Sequence, residues 1–427
     1  MEQSPEEKKK GRLRWWIVGA SFVMVFTCLG FCSSTKGLYL AAITEALGLE
    51  RGLFSINDSI RFLTSAALNL FFGRLIARFG PRKLAAAGFG ALIASMLVYS
   101  FAENIWLFYL GGALLGTGLA WTTTTMVGYM INVWCREHKG TIMGAVLAAN
   151  GLGGALAAQI LSGIIYGGED GFGYRTAYRV TAVILFAVGL FVCLIYRDKP
   201  AGTQPPVKTE KKIRGESWSG LSFEEAKKKP YFYVAAVCVF LTGMAIQSIN
   251  GIYSAHFRDV GFDAGFIATV MSIHSVALAA FKFLTGLSYD RIGLAKTMII
   301  CNAAAVAMAL LLAFANTGPS GKAMAVGYGV ISSLALPLET IMLPLIAGDL
   351  FGRKAYAKIL GIFVSVNTFG YAVGAPLANW CFDQTGSYRT IILVQCGMLA
   401  AVAVVFQGVI RAAGRVRRAV EEQSAAV

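Results

Sequence analysis

Apolar stretches of about 20 residues or more, the length that crosses roughly 30 Å of hydrocarbon at about 1.5 Å per residue, recur from one end of the chain to the other. They fall at 15–44, 52–76, 83–102, 105–134, 139–166, 176–196, 231–257, 263–289, 295–315, 321–348, 355–382 and 388–411. Bilayer-length apolar runs predict helices, and twelve of them predict an all-α membrane protein. One long polar segment interrupts the series. It covers 197–230, carries Pro200, Pro205, Pro206 and a run of lysines, and separates a six-span block at 15–196 from a second at 231–411; polar tails occupy 1–14 and 412–427. Within the linker, Ser222 followed by Glu225, with acids early and lysines late, predicts a short capped amphipathic helix on the membrane face.

The two blocks echo each other. Gly73-Arg74-Leu75-Ile76-Ala77-Arg78-Phe79-Gly80 returns as Gly286-Leu287-Ser288-Tyr289-Asp290-Arg291-Ile292-Gly293, each time between two apolar spans. Ser34-Thr35-Lys36-Gly37-Leu38-Tyr39 is answered by Ser248-Ile249-Asn250-Gly251-Ile252-Tyr253, and Gly144, Asn150 and Gly153 by Gly361, Asn367 and Gly370. Echoes in one order predict duplication, hence two pseudo-symmetric six-helix bundles. Such a pair can rock about a site between its halves, which is the usual architecture of a transporter.

Composition removes the competing classes. With 427 residues, 56% hydrophobic and only 14% charged, the chain lacks the polar surface a soluble globule of that size needs. The net charge of +15 is dispersed over loops beside apolar spans, so nucleic acid is not the expected partner. Basic clusters such as Arg74, Arg78, Arg82 and Lys83, or Arg411 to Arg418, fall on one side, which predicts a multi-pass protein of the cell (inner) membrane with both termini cytoplasmic. The basic leader precedes an apolar run too long for a signal peptide, so it reads as a retained first helix. Eight cysteines form no CxxC pair and no glycine run follows a strand, so no disulfide framework, metal site or cofactor is expected.

The paired Gly-x-x-x-x-Arg-x-Gly segments resemble the signature of the major facilitator superfamily over nearly the whole chain. The resemblance implies the major facilitator fold: twelve transmembrane helices, a central cavity and alternating access. It assigns Gly73, Arg78, Gly80, Gly286, Asp290 and Arg291 to the gating loops at the cytoplasmic face. The acid usual in that segment is Ala77 in the first half and Asp290 in the second, so any charge latch there is expected to be lopsided. Lys36-Gly37, Trp134-Cys135-Arg136, Asp349-Leu350-Phe351-Gly352 and Asp383-Gln384-Thr385-Gly386-Ser387-Tyr388 are similar to the monocarboxylate and oxalate/formate branch. That resemblance implies carboxylate binding by the cation of the eighth span, here Lys282 where arginine is usual, with Lys36 on the first span. The branch's acid one turn before that cation is Leu278 here, and the eleventh-span lysine of oxalate-type members is Asn367.

Ionisable groups inside apolar helices are expensive unless they face a cavity or a partner, so they are the functional candidates. Lys282 lies among Val276, Leu278, Phe281 and Phe283, and a carboxylate would relieve its burial; the alternative is a lysine that reaches water or a structural acid. His274, eight residues earlier, is offset by about 80° and aligns with Arg61, so each half places a nitrogen base at one level. His274 can equally be a hydrogen-bonded packer, and Asp58 is a ready partner for Arg61 on the same helix. Lys36 aligns with Asn250 and Tyr39 with Tyr253, forming either an outer rim of donors or an interfacial aromatic belt. Asn150 and Asn367 can donate to a substrate or bond to a neighbouring helix. Glu339, beside Pro337 in the tenth span and opposite Thr122 in the repeat, is the candidate proton-coupling acid, with Lys282 as its possible partner in coupling.

These residues predict a secondary active transporter of a small organic anion, a monocarboxylate first, with proton symport or anion exchange as driver, acting as a monomer among membrane lipids. Proton-coupled export of hydrophobic or cationic compounds is the alternative within transport. A membrane sensor or an embedded enzyme is disfavoured by three scattered histidines and by the lack of a nucleophile triad; no catalytic residue is expected.

Overall fold

A computed structural model of the chain describes residues 5–49, 51–135, 137–166, 172–197 and 220–425. Residues 198–219 of the expected linker at 197–230, Glu50, Arg136, residues 167–171 and the extreme ends of both tails lie outside those residues. The described residues are helical almost throughout, and the chain divides into two compact units, Met1–Glu216 and Ser217–Val427.

In the first unit, α1 comprises Pro5–Leu29, a π-helical turn Gly30–Ser34 and Lys36–Leu47. Next, α2 begins as Arg51–Leu70 and continues into Phe72–Phe101, which is interrupted at Gly80 (φ 73, ψ 167); α3 is the part beyond that glycine, starting at Pro81. The unit is completed by α4 (Ile105–Thr122 and Thr124–Trp134), α5 (Lys139–Tyr166) and α6 (Gly173–Ile195).

The second unit opens with a linker helix, Phe223–Lys227, followed by α7 (Pro230–Val260). The run Ala264–Ala313 is interrupted at Gly293 (φ 80, ψ 173), which separates α8 from α9. Then come α10, in three pieces (Pro319–Ala335, Pro337–Thr340 and Met342–Phe351), α11 (Tyr356–Thr385) and α12 (Arg389–Ala425).

Among the described residues, 10 helices are long and apolar enough to cross a membrane. Dividing the longest at Gly293 and adding the more polar Arg51–Leu70 gives six per unit, the expected all-α bundle architecture.

The helices overrun the apolar spans. Helix α2 persists through Phe79 and α8 through Ile292, although the spans end at 76 and 289, and α12 continues to Ala425 through what reads as a polar tail. Hydropathy marks where a helix is buried in lipid; the backbone ladder continues into water until a residue breaks it. At Gly80 and Gly293 the break is a positive φ with extended ψ, a region only glycine enters readily. The signature segments are therefore helical ends, not loops.

Matched glycines set close helix crossings in each unit. A Cβ on Gly153 of α5 would collide with the Phe26 carbonyl of α1, and one on Gly370 of α11 would collide with the Phe240 carbonyl of α7. Small residues let backbones approach this closely where lipid supplies no hydrophobic drive.

The linker helix has the expected capping box: Ser222 N–H donates to Glu225 Oε2 at 2.7 Å and Glu225 N–H to Ser222 Oγ at 3.3 Å. Leu221 N–H donates to the Phe351 carbonyl at 2.9 Å, and Lys358 Nζ sits 3.5 Å above the Phe223 ring, fastening the helix to the ends of α10 and α11.

Candidate functional site

In the first unit the polar centre lies just beyond the π-turn of α1. That turn inserts an extra residue where Gly30 meets Gly153, and Thr35 Oγ1 caps the loosened carbonyl of Phe31 at 2.7 Å. Lys36 follows it. Its Nζ lies 2.6 Å from Asp58 Oδ2 on α2, and Arg61 Nη2 lies 3.1 Å from Asp58 Oδ1, so one carboxylate holds both cations. Arg61 Nη1 also donates to Ser33 Oγ at 3.0 Å, while its Nε is buried with no acceptor among the described residues. Arg61 is only 4% exposed; Lys36 is open to solvent. The group carries one net positive charge.

Tyr39 is buried and stacked on Tyr178, with centroids 4.1 Å apart, in a cluster that continues to Tyr99. It is a packed ring, not an exposed rim donor, because the Tyr178 ring of α6 lies flat against it and leaves it 5% exposed. Asn150 accepts from Ser34 Oγ at 3.0 Å, which ties α5 to the π-turn of α1.

In the second unit, Lys282 of α8 and Glu339 of α10 are both buried, 4% and 5% exposed, and lie within electrostatic reach of each other. Glu339 sits in the short piece Pro337–Thr340. Pro337 has no N–H to offer Ser333, so α10 loosens there. In the first unit α4 is interrupted at Thr123 (φ −125, ψ −134), beside Thr122, the repeat counterpart of Glu339. Helices broken at matched positions are where transporters of this architecture build their sites.

Tyr371 of α11 hydrogen-bonds to Glu339 and stands beside Asn367, one turn earlier on its helix. Among the described residues, Glu339 Oε1 and Asn367 Oδ1 have no donor. Sequence reasoning passes over Tyr371; its only signal is the four-residue spacing from Asn367.

His274 is a packed residue: its Nδ1 is 2.8 Å from Ser332 Oγ and 3.2 Å from Ser333 Oγ, and Ser333 Oγ also donates to its carbonyl at 2.9 Å. Tyr253 is buried against Tyr328 and His274, at centroid distances of 5.3 and 6.2 Å. Asn250 is half-buried on α7.

The signature residues lie at helix ends. Gly73 is half-buried in α2 and Arg78 is exposed beside the Phe79 ring, 5.4 Å from its centroid. In the second unit Gly286 is buried, Asp290 half-buried and Arg291 exposed, and the neighbouring Tyr289 hydroxyl donates to Asp349 at 2.7 Å.

The family model for the Major Facilitator Superfamily matches residues 21–246 and 235–426. The chain is 23% identical over 407 residues to the "uncharacterized MFS-type transporter YcxA" of Bacillus subtilis, covering 90% of this chain and 92% of the relative. It is 26% identical to the multidrug resistance protein MdtG of Klebsiella pneumoniae (90% and 88% covered) and 22% identical to monocarboxylate transporter 13 of Rattus norvegicus (92% and 88%). The Escherichia coli fucose:proton symporter FucP shares the fold with TM-score 0.70 at 15% identity, over 92% of this chain and 99% of that one. The proton:xylose symporter XylE does so with TM-score 0.71 at 14% identity, over 94% and 96%. With both six-helix units matched by one family model, the chain belongs to the Major Facilitator Superfamily and is a multi-pass membrane transporter, not an enzyme.

Proposed function

We propose that the transporter carries a small organic anion, a monocarboxylate first, and that Lys282 anchors the carboxylate while Glu339 couples its movement to a proton. The observation that carries this reading is the burial of both groups within electrostatic reach of each other. Opposite charges in a low-dielectric interior depend on each other; losing one leaves the other at a cost of several kcal/mol. Protonation of Glu339 removes the compensation for Lys282, and a substrate carboxylate restores it. Proton and anion then load together, and the occupied site carries no more net charge than the empty one, which favours closure on both sides. Tyr371 and Asn367 supply the neighbouring polar groups, and the Lys36–Asp58–Arg61 group supplies positive charge in the first unit. The carrier acts as a monomer, with both termini on the cytoplasmic side.

The test is uptake of labelled lactate, pyruvate, formate and oxalate by proteoliposomes with and without an inward proton gradient. Lys282→Gln should abolish uptake of any accelerated acid. Glu339→Gln should lose the acceleration by the gradient while keeping exchange of internal for external substrate. Gradient-driven uptake that survives Lys282→Gln refutes the reading.

A second reading is proton-coupled export of hydrophobic cations, favoured by the relatives named as multidrug resistance proteins and by a Glu339 oxygen that has no donor. It expects efflux that is lost with Glu339→Gln and intact with Lys282→Gln.

A further inference from the structure

Between α9 and α12 the second unit has a lipid-facing groove of ≈ 690 Å³, walled by Ile299, Ala303, Leu310, Ala403 and Val404. The first unit shows why it is open. Nine residues past Gly80, Phe89 of α3 presses its ring onto Gly189 of α6, 2.9 Å from where a Cβ would stand. The residue nine past Gly293 is Asn302, and the α12 residue that follows Tyr388-Arg389-Thr390 as Gly189 follows Tyr174-Arg175-Thr176 is Ala403. An amide, itself only 1% exposed, stands in place of the ring, and the groove opens beside it. Asn302 turns its N–H₂ to the Met298 carbonyl at 2.8 Å, and a Cβ on Gly408 would meet nothing within 4 Å.

The dimensions and charge select an occupant. From Ile299 to Leu310 the groove runs roughly 16 Å at about 1.5 Å per residue, close to one leaflet of a hydrocarbon core of about 30 Å. Gln407 Nε2 donates to the Ala295 carbonyl at 3.2 Å, which registers the basic end of α12 against the start of α9. At that end the wall includes Arg411, and Lys296, Arg415 and Arg418 are exposed nearby along the two helices. An apolar channel one leaflet long, closing on a basic rim, matches an acyl chain beneath an anionic headgroup.

We propose that this groove binds one acyl chain of an anionic glycerophospholipid from the leaflet on the protein's basic side, with its phosphate at Arg411. The seat is a property of the second unit alone and does not depend on what the transporter carries.

The test uses the full chain purified in detergent and measures the thermal unfolding midpoint after adding dioleoyl phosphatidylglycerol or dioleoyl phosphatidylcholine. Phosphatidylglycerol should raise the midpoint more. Arg411→Gln, at an exposed position, should reduce that rise to the phosphatidylcholine level. Asn302→Phe, which restores the ring found in the first unit, should raise the midpoint without lipid and abolish the response to phosphatidylglycerol; Ala403→Leu fills the same seam should the first variant fail to fold. Equal stabilisation by the two lipids in the unaltered protein overturns the proposal, as does a phosphatidylglycerol preference that survives either kind of substitution.

Discussion

Gly80 and Gly293 adopt the same backbone conformation, φ 73 and ψ 167 in one and φ 80 and ψ 173 in the other, and each parts two helices at the same place in its unit. A Cβ on Gly293 would touch nothing within 4 Å, so substitution there tests conformation without packing. Gly293→Ala should lower stability by about 1–3 kcal/mol, the cost of forcing an L-residue into this region. Gly90→Ala, in a helical position that is also open, should be neutral or stabilising. Thermal midpoints of the purified variants check both.

Gly153 and Gly370 make the opposite case, because the obstacle to a side chain is a neighbouring backbone carbonyl. Gly153→Ala and Gly370→Ala should each cost about 1–3 kcal/mol by forcing α1 from α5 or α7 from α11. The loss should appear in yield of monodisperse protein as well as in the midpoint, and similar losses at both sites are expected from the matched contacts.

Asp58 serves two cations of unequal burial. Asp58→Asn strands Arg61 and should cost about 2 kcal/mol, less than the roughly 3–5 kcal/mol of a fully buried pair because the carboxylate keeps contact with water. Lys36→Gln removes an exposed partner and should cost at most about 1 kcal/mol. Equal effects in thermal unfolding would contradict the geometry of the group.

The linker helix should loosen in acid. The backbone N–H of Ser222 holds the Glu225 carboxyl below the usual glutamate range, and Lys227 does the same for Glu224. A carboxylate depressed in the folded state stabilises it above the unfolded value, 4.5, and that contribution fades as pH falls below this value toward the folded one. Hydrogen exchange at Leu221 and Glu225, measured against the intrinsic rate at each pH, should therefore lose protection below about pH 4.5. Ser222→Ala should accelerate it at neutral pH, by roughly five-fold for a cap worth about 1 kcal/mol.

The duplication, the two kink glycines and the linker cap are legible in the chain because each rests on local chemistry: a repeated order of residues, a conformation open to glycine, a Ser–Glu spacing. The partners of Lys36, His274 and Tyr39 are not. They depend on how far each helix is rotated about its axis, which packing decides between segments distant in sequence. The break in α4 is also silent, since Thr123 is an ordinary residue and only tertiary context holds it out of the helix. Pro337, by contrast, announces the break in α10.

That helix contains a second proline. With Pro337 and Pro344 both lacking an N–H, the carbonyls of Ser333 and Thr340 have no donor four residues ahead, two turns apart along α10. Glu339 is borne by the stretch between them, so under the proposed function a change in its charge would act on a crank with a soft joint at either end. Swinging it would sacrifice few backbone bonds, and the energy of a single proton can be spent on displacement instead of on unravelling helix.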